Sequence, residues 1–297
     1  MRYSIEMSVR GEAAEPSAVT RTAQAAERAG FSLLGYTDHP APSRKWLDSG
    51  GHPTFDPFAA LCYLAAVTTD IRLMTYLAVL PYRNPMVLAK SVATVDRLSG
   101  GRFTLVVGTG YLRSEFSAVG RSFDDRNALF EEAIDVVRHT YVGDEYHHEG
   151  TDFTARGAAF DPAPVQLPHP PIWIGGSSRE SRRRAARYGD GWAPLMPSEA
   201  FARTVRTAPM QTIDDLARNI DELHRLTVAE GRDPSTLSIQ LDGFGAMDGP
   251  ADDALERVAE LERVGVTHVV LRPVQGSTTQ VVEALEAFGA EVIAETR

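Results

Sequence analysis

Residues 171–194 read PIWIGGSSRESRRRAARYGDGWAP. Ile172, Trp173 and Ile174 form a short apolar run suited to a buried strand, which enters Gly175-Gly176-Ser177-Ser178. A helix follows and stops at Gly189, and Gly191-Trp192-Ala193 begins another strand. Strand, turn, helix, strand is the unit from which parallel α/β folds are built. Two glycines let backbone approach a ligand without a Cβ in the way, and the first N–H groups of a helix attract anions. The turn therefore reads either as a phosphate cup or as a plain capped turn, with Ser177 and Glu180 as a capping box. Behind it, Arg179, Arg182, Arg183, Arg184 and Arg187 read mostly as a solvated outer face, with Ser178, Ser181 and Ala185 turned inward. Arg179, in the first turn, is the one placed to reach an anion.

The same alternation runs outward in both directions. Strand signals lie at Tyr3–Val9, Phe31–Tyr36, Ile71–Leu80 and Phe103–Val107, and again at Leu237–Leu241 and Thr267–Leu271. Helical periods separate them: Ser17–Ala29 closed by Gly30, a helix opened by Asp56-Pro57, another opened by Asn84-Pro85, and Arg126–Tyr141. Three more follow, one capped by Thr212 and Asp215, then Asp252–Val264 and Thr278–Phe288. With the two strands of 171–194, eight strands alternate with eight helices. That count predicts an α/β (β/α)8 TIM barrel forming one domain over residues 1–297. Two segments fit neither period and read as insertions. One is 142–170, after helix 4, with the character of a small hairpin; the other is 194–211, after strand 6, a candidate lid.

In such a barrel the chemistry belongs at the C-terminal ends of the strands. Those positions hold Glu6 and Ser8; Asp38 and His39; Thr75, Tyr76 and Tyr82; Gly108, Gly110 and Tyr111; the 175–178 turn; Trp192 and Met196; Asp242 and Phe244; and Arg272 and Gln275. A glycine-rich, aromatic rim suits a flat cofactor better than a metal cage. His39 is the acid–base candidate, because only histidine titrates unperturbed near neutrality. Asp38 points the other way along the strand and reads as a brace for the loop. Gly108-Thr109-Gly110 lacks the third glycine of a dinucleotide fingerprint, since position 113 is Arg, and Arg113 and Glu115 read as solvated. No metal site is expected: His147 and His148 are adjacent and diverge. Neither HxH, HExxH nor GxSxG occurs. Cys62, the one cysteine, reads as core and forbids an internal disulfide. A net charge of −10 argues against nucleic acid. No apolar run is long enough for a membrane, and the N-terminus lacks a secretion signal, so a cytoplasmic location is expected.

Three stretches carry a family resemblance: AQAAERAGFSLLGYTDHP (23–40), the run 71–116 that contains LPYRNPMVLAK and VVGTGYLRSEF, and 171–194. Together they resemble the luciferase-like monooxygenase superfamily of flavin- and deazaflavin-dependent oxidoreductases. The resemblance implies a flat ring over strands two to four and a cofactor phosphate on Gly175, Gly176, Ser177 and Ser178, with Arg179 beside it. It further implies ring contacts from Asp38, Thr75, Tyr76, Gly108, Gly110 and Tyr111, and a non-proline cis peptide around Thr75-Tyr76-Leu77. Asp38-His39 is similar to the branch that uses coenzyme F420, a deazaflavin that transfers hydride, with His39 as proton donor or acceptor. The alternative it leaves open is an FMNH2-dependent monooxygenase served by a partner reductase. A small-molecule substrate and a homodimer are also implied. One position departs from the F420-dependent sugar-phosphate dehydrogenases: Tyr111 stands where they carry glutamate directly after GxG, which puts that substrate in doubt.

Overall fold

The computed structural model describes residues 1–196, 210–246 and 249–296, with the side chains of 243–246 left aside. In chain order the strands and helices are β1 Arg2–Glu6, α1 Pro16–Ala29, β2 Leu33–Tyr36, α2 Arg44–Asp48, α3 Pro57–Val67, β3 Arg72–Thr75 and β4 Ala78–Val79. Then come α4 Pro85–Leu98, β5 Phe103–Gly108, α5 Arg113–Ala118, α6 Arg126–His139, β6 Tyr146–Glu149 and β7 Thr154–Ala158. The chain ends with β8 Ile172–Gly175, α7 Arg179–Tyr188, β9 Gly191–Ala193, α8 Ile213–Ala229, β10 Ser238–Ala246, α9 Ala251–Arg263, β11 His268–Arg272 and α10 Thr278–Phe288. This is the (β/α)8 barrel that the alternation predicts. The strand expected over 71–80 is in fact two, β3 and β4, interrupted at a cis Tyr76–Leu77 peptide, where the family resemblance places one. The short helices α2 and α5 fall in stretches too brief to show a helical period. The candidate lid at 194–211 lies largely outside the described residues.

The chain divides into two compact units. The first holds residues 1–35, 67–72 and 172–297. Its strands run parallel in the order β2-β1-β11-β10-β9-β8, in register Ser4↔Leu33, Ser4↔Val270, Leu241↔Val269, Ile239↔Trp192 and Ile174↔Trp192. Parallel strands covered by helices are buried on both faces; β8 and β11 accordingly read as apolar runs, while β1 (RYSIE) and β10 (SIQLD) alternate and bury polar Ser4 and Gln240 as well. Helix α1 turns Ala18, Val19, Thr22, Ala23, Ala25 and Ala26 inward. It ends at Gly30, whose φ of +88° is a left-handed cap that a side chain would strain. Phe288 of α10 packs edge-on to Tyr3 at 5.5 Å and is stacked with Phe31 at 5.8 Å. At the other end of α7, Arg232 donates to the carbonyls of Ala186 (2.7 Å) and Gly189 (2.6 Å), groups that the helix itself cannot pair.

The second unit holds residues 36–66 and 73–171, with β3 and β4 both parallel to β5. Asp56 and Asn84 open α3 and α4 as the sequence predicts. Asp56 accepts from the Ala59 N–H at 3.0 Å, and Asn84 accepts from Met86 N–H at 2.9 Å. Cys62 is half-buried, facing a groove with Phe58, Met86 and Val87, rather than core as its apolar neighbours suggest; burial pushes its thiol pKa up. The irregular segment contains an antiparallel hairpin, β6 against β7. It is anchored by a hydrogen bond between His148 Nε2 and Glu132 at 2.8 Å and by the ion pair of Arg121 and Asp152, and His148 is stacked on Phe153 at 4.6 Å. The approach to β8 is held by Asp96. Its fully buried carboxylate accepts from Val165 N–H (2.6 Å), Gln166 N–H (2.9 Å) and Gln166 Nε2 (2.6 Å).

Two stability predictions follow from these buried groups. Asp96→Ala removes a fully buried carboxylate and its three hydrogen bonds to part-buried donors and should cost about 2 kcal/mol, read as a lower urea midpoint at unchanged m-value. His268, buried against Trp173 at 4.8 Å, is pushed down to about 3 by burial and then by the charges of Arg2, the N-terminus and Arg72. Its folded value lies below its ordinary 6.5, so its contribution is complete above pH 6.5 and is lost as pH falls toward 3. Over that window stability should drop by up to about 1.4 kcal/mol per pH unit from this group. His268→Gln should flatten the slope in urea titrations at stepped pH; an unchanged slope would refute the assignment.

Candidate active site

The residues expected at the reacting end of the second unit come together around a carboxylate that sequence reasoning assigned to solvent. Glu115, on α5, is fully buried. Its Oε2 contacts His39 Nδ1 at 3.0 Å and accepts from the Tyr82 hydroxyl at 3.0 Å, and its Oε1 accepts from the Ala41 N–H at 3.3 Å. Burial first, and the charge of Glu115 second, push the Tyr82 pKa far above its ordinary 10. The phenol therefore stays protonated and donates. Where a carboxylate oxygen accepts, the contact is made by a hydrogen on His39 Nδ1, which turns Nε2 away from Glu115. Burying a carboxylate without donors is costly, and here three donors meet it. Nothing in the sequence near 115 announces this. The one available signal was that α5 sets Phe116 into the core, against Tyr82 at 4.9 Å and Phe123 at 5.2 Å, which turns its neighbours inward as well.

His39 itself has a side chain only 9% exposed. Its ring lies 4.5 Å from Trp46, 5.2 Å and nearly perpendicular to His52, and 6.1 Å from Tyr111. Trp46 and His52 come from the loop after β2 and were not anticipated. Ser43 caps α2 by accepting from the Trp46 N–H, and a Cβ on Gly51 would meet the Trp46 ring at 2.4 Å. His52 Nε2 is 2.9 Å from the Thr37 hydroxyl.

Asp38 braces the loop, as its opposite direction along the strand suggests. It is buried, accepts from the Val79 N–H at 2.9 Å, and forms a two-pronged ion pair with Arg83. Arg83 reaches on to Asp56 at 2.8 Å and lies over the Phe58 ring at 5.2 Å. Thr75 donates its hydroxyl to the Val106 carbonyl at 2.6 Å, and the Tyr76 N–H donates to the Tyr36 carbonyl at 2.7 Å. Gly108 and Gly110 are required by close packing: a Cβ would meet Leu77 at 2.6 Å and Val79 at 2.6 Å respectively. Gly110 also has φ +75°. Arg113, by contrast, is exposed as expected, paired with Asp124 at 2.7 Å.

In the first unit the turn 175–178 is a cup with tied-back carbonyls. Gly176 has φ +102°, a conformation that a side chain would strain, while the space beside it is ordinary, with Ser181 Cβ 3.6 Å away from an added Cβ. The capping box expected from Ser177 and Glu180 is not formed. Ser178 is the cap, accepting from the Ser181 N–H at 3.1 Å, because Ser177 turns inward and donates to the Leu195 carbonyl at 2.8 Å. The arginines are not all solvated: Arg182 and Arg184 are buried. Arg179 is 73% exposed and pairs with Glu222 at 3.0 Å. Burial alone would raise the Glu222 carboxyl, but hydrogen bonds and charge from Arg182 and Arg179 outweigh it and hold its pKa below the usual range. At the ends of β1, β10 and β11, Arg272 is flanked by Glu6 (2.8 Å) and Asp242 (2.9 Å).

The profile of the luciferase-like monooxygenase family matches residues 3–291. The chain belongs to that family. An F420-dependent hydroxymycolic acid dehydrogenase of Mycobacterium tuberculosis is 31% identical over 244 residues, 81% of this chain and 61% of that one. Among solved structures, monooxygenase RslO1 of Streptomyces bottropensis superposes with a TM-score of 0.83 at 20% identity, covering all of both chains. The F420-dependent tetrahydromethanopterin reductase of Methanopyrus kandleri gives 0.77 at 16% identity, over 100% of this chain and 99% of that one. As a member of the luciferase-like family, the protein is an oxidoreductase.

The tautomer assigned to His39 is testable. Glu115→Gln keeps the volume but offers an amide that can donate to Nδ1, so the proton should shift toward Nε2. ¹⁵N NMR of the imidazole should report that change. An unaltered tautomer in the variant would show that Glu115 does not set it.

Proposed function

We propose that this protein transfers a hydride between coenzyme F420 and a small organic substrate, with His39 exchanging the accompanying proton. The observation that carries the reading is the His39–Glu115–Tyr82 arrangement: a shielded imidazole anchored through Nδ1, with its Nε2 held in a fixed direction. When bound, the deazaflavin supplies the hydride chemistry, and the protein's part is binding, orientation and proton handling. Glu115 keeps the imidazolium that forms on protonation next to a negative charge, and Trp46 offers it a ring face at 4.5 Å. The residues fit such a cofactor. Each unit by itself offers what the family resemblance implies: in the first, the Gly176 turn leads into the start of α7, a place suited to a phosphate; in the second, Thr75, Tyr76, Gly108, Gly110 and Tyr111 are the residues assigned to a ring. Similarity to an F420-dependent dehydrogenase at 31% identity supports the F420 reading over the FMN one.

The reading extends to a homodimer, with 32.4 kDa per chain, and to action without a partner reductase. Among the described residues no helix is long and apolar enough to cross a membrane.

Titration with oxidised F420 and with FMN, followed by fluorescence, should show at least tenfold tighter binding of F420. Equal affinity, or turnover that consumes oxygen with a flavin reductase present, would favour the FMNH2-dependent monooxygenase instead. His39→Ala should bind F420 within about threefold of the unmodified protein and lose about 10²–10⁴-fold in turnover across a panel of alcohols and carbonyl compounds. Retained turnover would remove His39 from the mechanism.

A further inference from the structure

Arg182 is a buried cation that hydride transfer does not use. It sits one turn into α7 with its side chain 8% exposed. Its Nε and Nη2 meet Glu222 Oε2 at 2.9 and 2.7 Å, and its guanidinium lies 5.9 Å from the Trp192 ring. Its Nη1 donates to the Ser177 carbonyl at 3.0 Å. The preceding carbonyl, that of Gly176, accepts from Trp192 Nε1 (2.8 Å) and Ser181 Oγ (2.6 Å).

Both peptide bonds that follow these carbonyls are trans, and in a trans peptide the N–H points opposite to the C=O. Holding the Ser177 carbonyl at Arg182 therefore directs the Ser178 N–H away from that guanidinium, as holding the Gly176 carbonyl directs the next N–H away from Trp192 and Ser181. Successive N–H groups presented in this way make an anion-binding concavity. We propose that Arg182 is a positioning residue for cofactor phosphate: it touches no ligand, but through the Ser177 carbonyl it aims the Ser178 amide and sets a positive charge behind the cup. Glu222 holds the guanidinium in that pose. The inference rests on the phosphate reading of the cup, and it separates Arg182 from Arg179, whose exposed side chain is paired at the surface.

FMN and riboflavin share a ring and differ in the phosphate, so the ratio of their dissociation constants isolates phosphate recognition from general folding and ring binding. Equilibrium dialysis should give a ratio favouring FMN in the unmodified protein, whether or not F420 binds more tightly than either. In Arg182→Met that ratio should fall at least tenfold while riboflavin affinity stays within about twofold. Arg182→Lys, which keeps the charge with fewer donors, should fall between, and takes the place of the methionine variant if that one does not fold by circular dichroism. An unchanged ratio in the variants overturns the role of Arg182 and leaves the cup intact. A ratio of one in the unmodified protein removes the phosphate site and this inference with it, whereas failure of the F420 reading would show in the F420 titration.

Discussion

A carboxylate with no exposed surface is tolerated only where donors converge on it, and Glu115 meets that constraint with three. Each donor comes from a different place: His39 at the end of β2, Ala41 in the loop beyond, and Tyr82 in the turn after β4. The requirement to satisfy one charge thus ties together the pieces that make up the candidate active site. It also fixes the orientation of the His39 imidazole through Nδ1. Nearby, Asp38 and Arg83 do for the loop what Glu115 does for the ring. The two acids do not compete, because Asp38 is engaged by Val79 and Arg83 while Glu115 engages His39.

The cup in the first unit follows another logic. There the buried charge is a cation, and its partners are a carboxylate and a backbone carbonyl instead of another side chain of the site. Hydrogen bonds from Trp192, Ser181 and Arg182 all reach carbonyls of the same turn. A loop whose acceptors are bound has its donors directed the opposite way, so the contacts that hold this turn are also those on which the proposed phosphate site would depend.

The fold was largely legible because parallel strands and their helices leave strong periodic and capping signals, as at Asp56, Asn84 and Thr212. His39 was legible for the chemistry of its side chain. What escaped were residues whose role depends on contacts distant in sequence. Glu115 lies 76 positions from His39, and its helix spans only six residues, too few to show a buried face. Arg182 was hidden in a run of arginines whose average character is solvent-facing. Ser177 and Ser178 exchanged parts because a cap is decided by where the chain turns, and here the Leu195 backbone claims the first hydroxyl. Trp46 and His52 belong to a loop that composition marks only as polar.

The hairpin after α6 hangs on the second unit by two side chains that are not its own, Glu132 and Arg121. Such a segment behaves as a cartridge with a socket. Grafting a relative's hairpin onto this scaffold would require its aspartate and histidine counterparts to meet these anchors, or the anchors to travel with the graft. Variation within the hairpin that respects the two contacts is correspondingly cheap, so this is a place where one barrel can diversify without renegotiating its core.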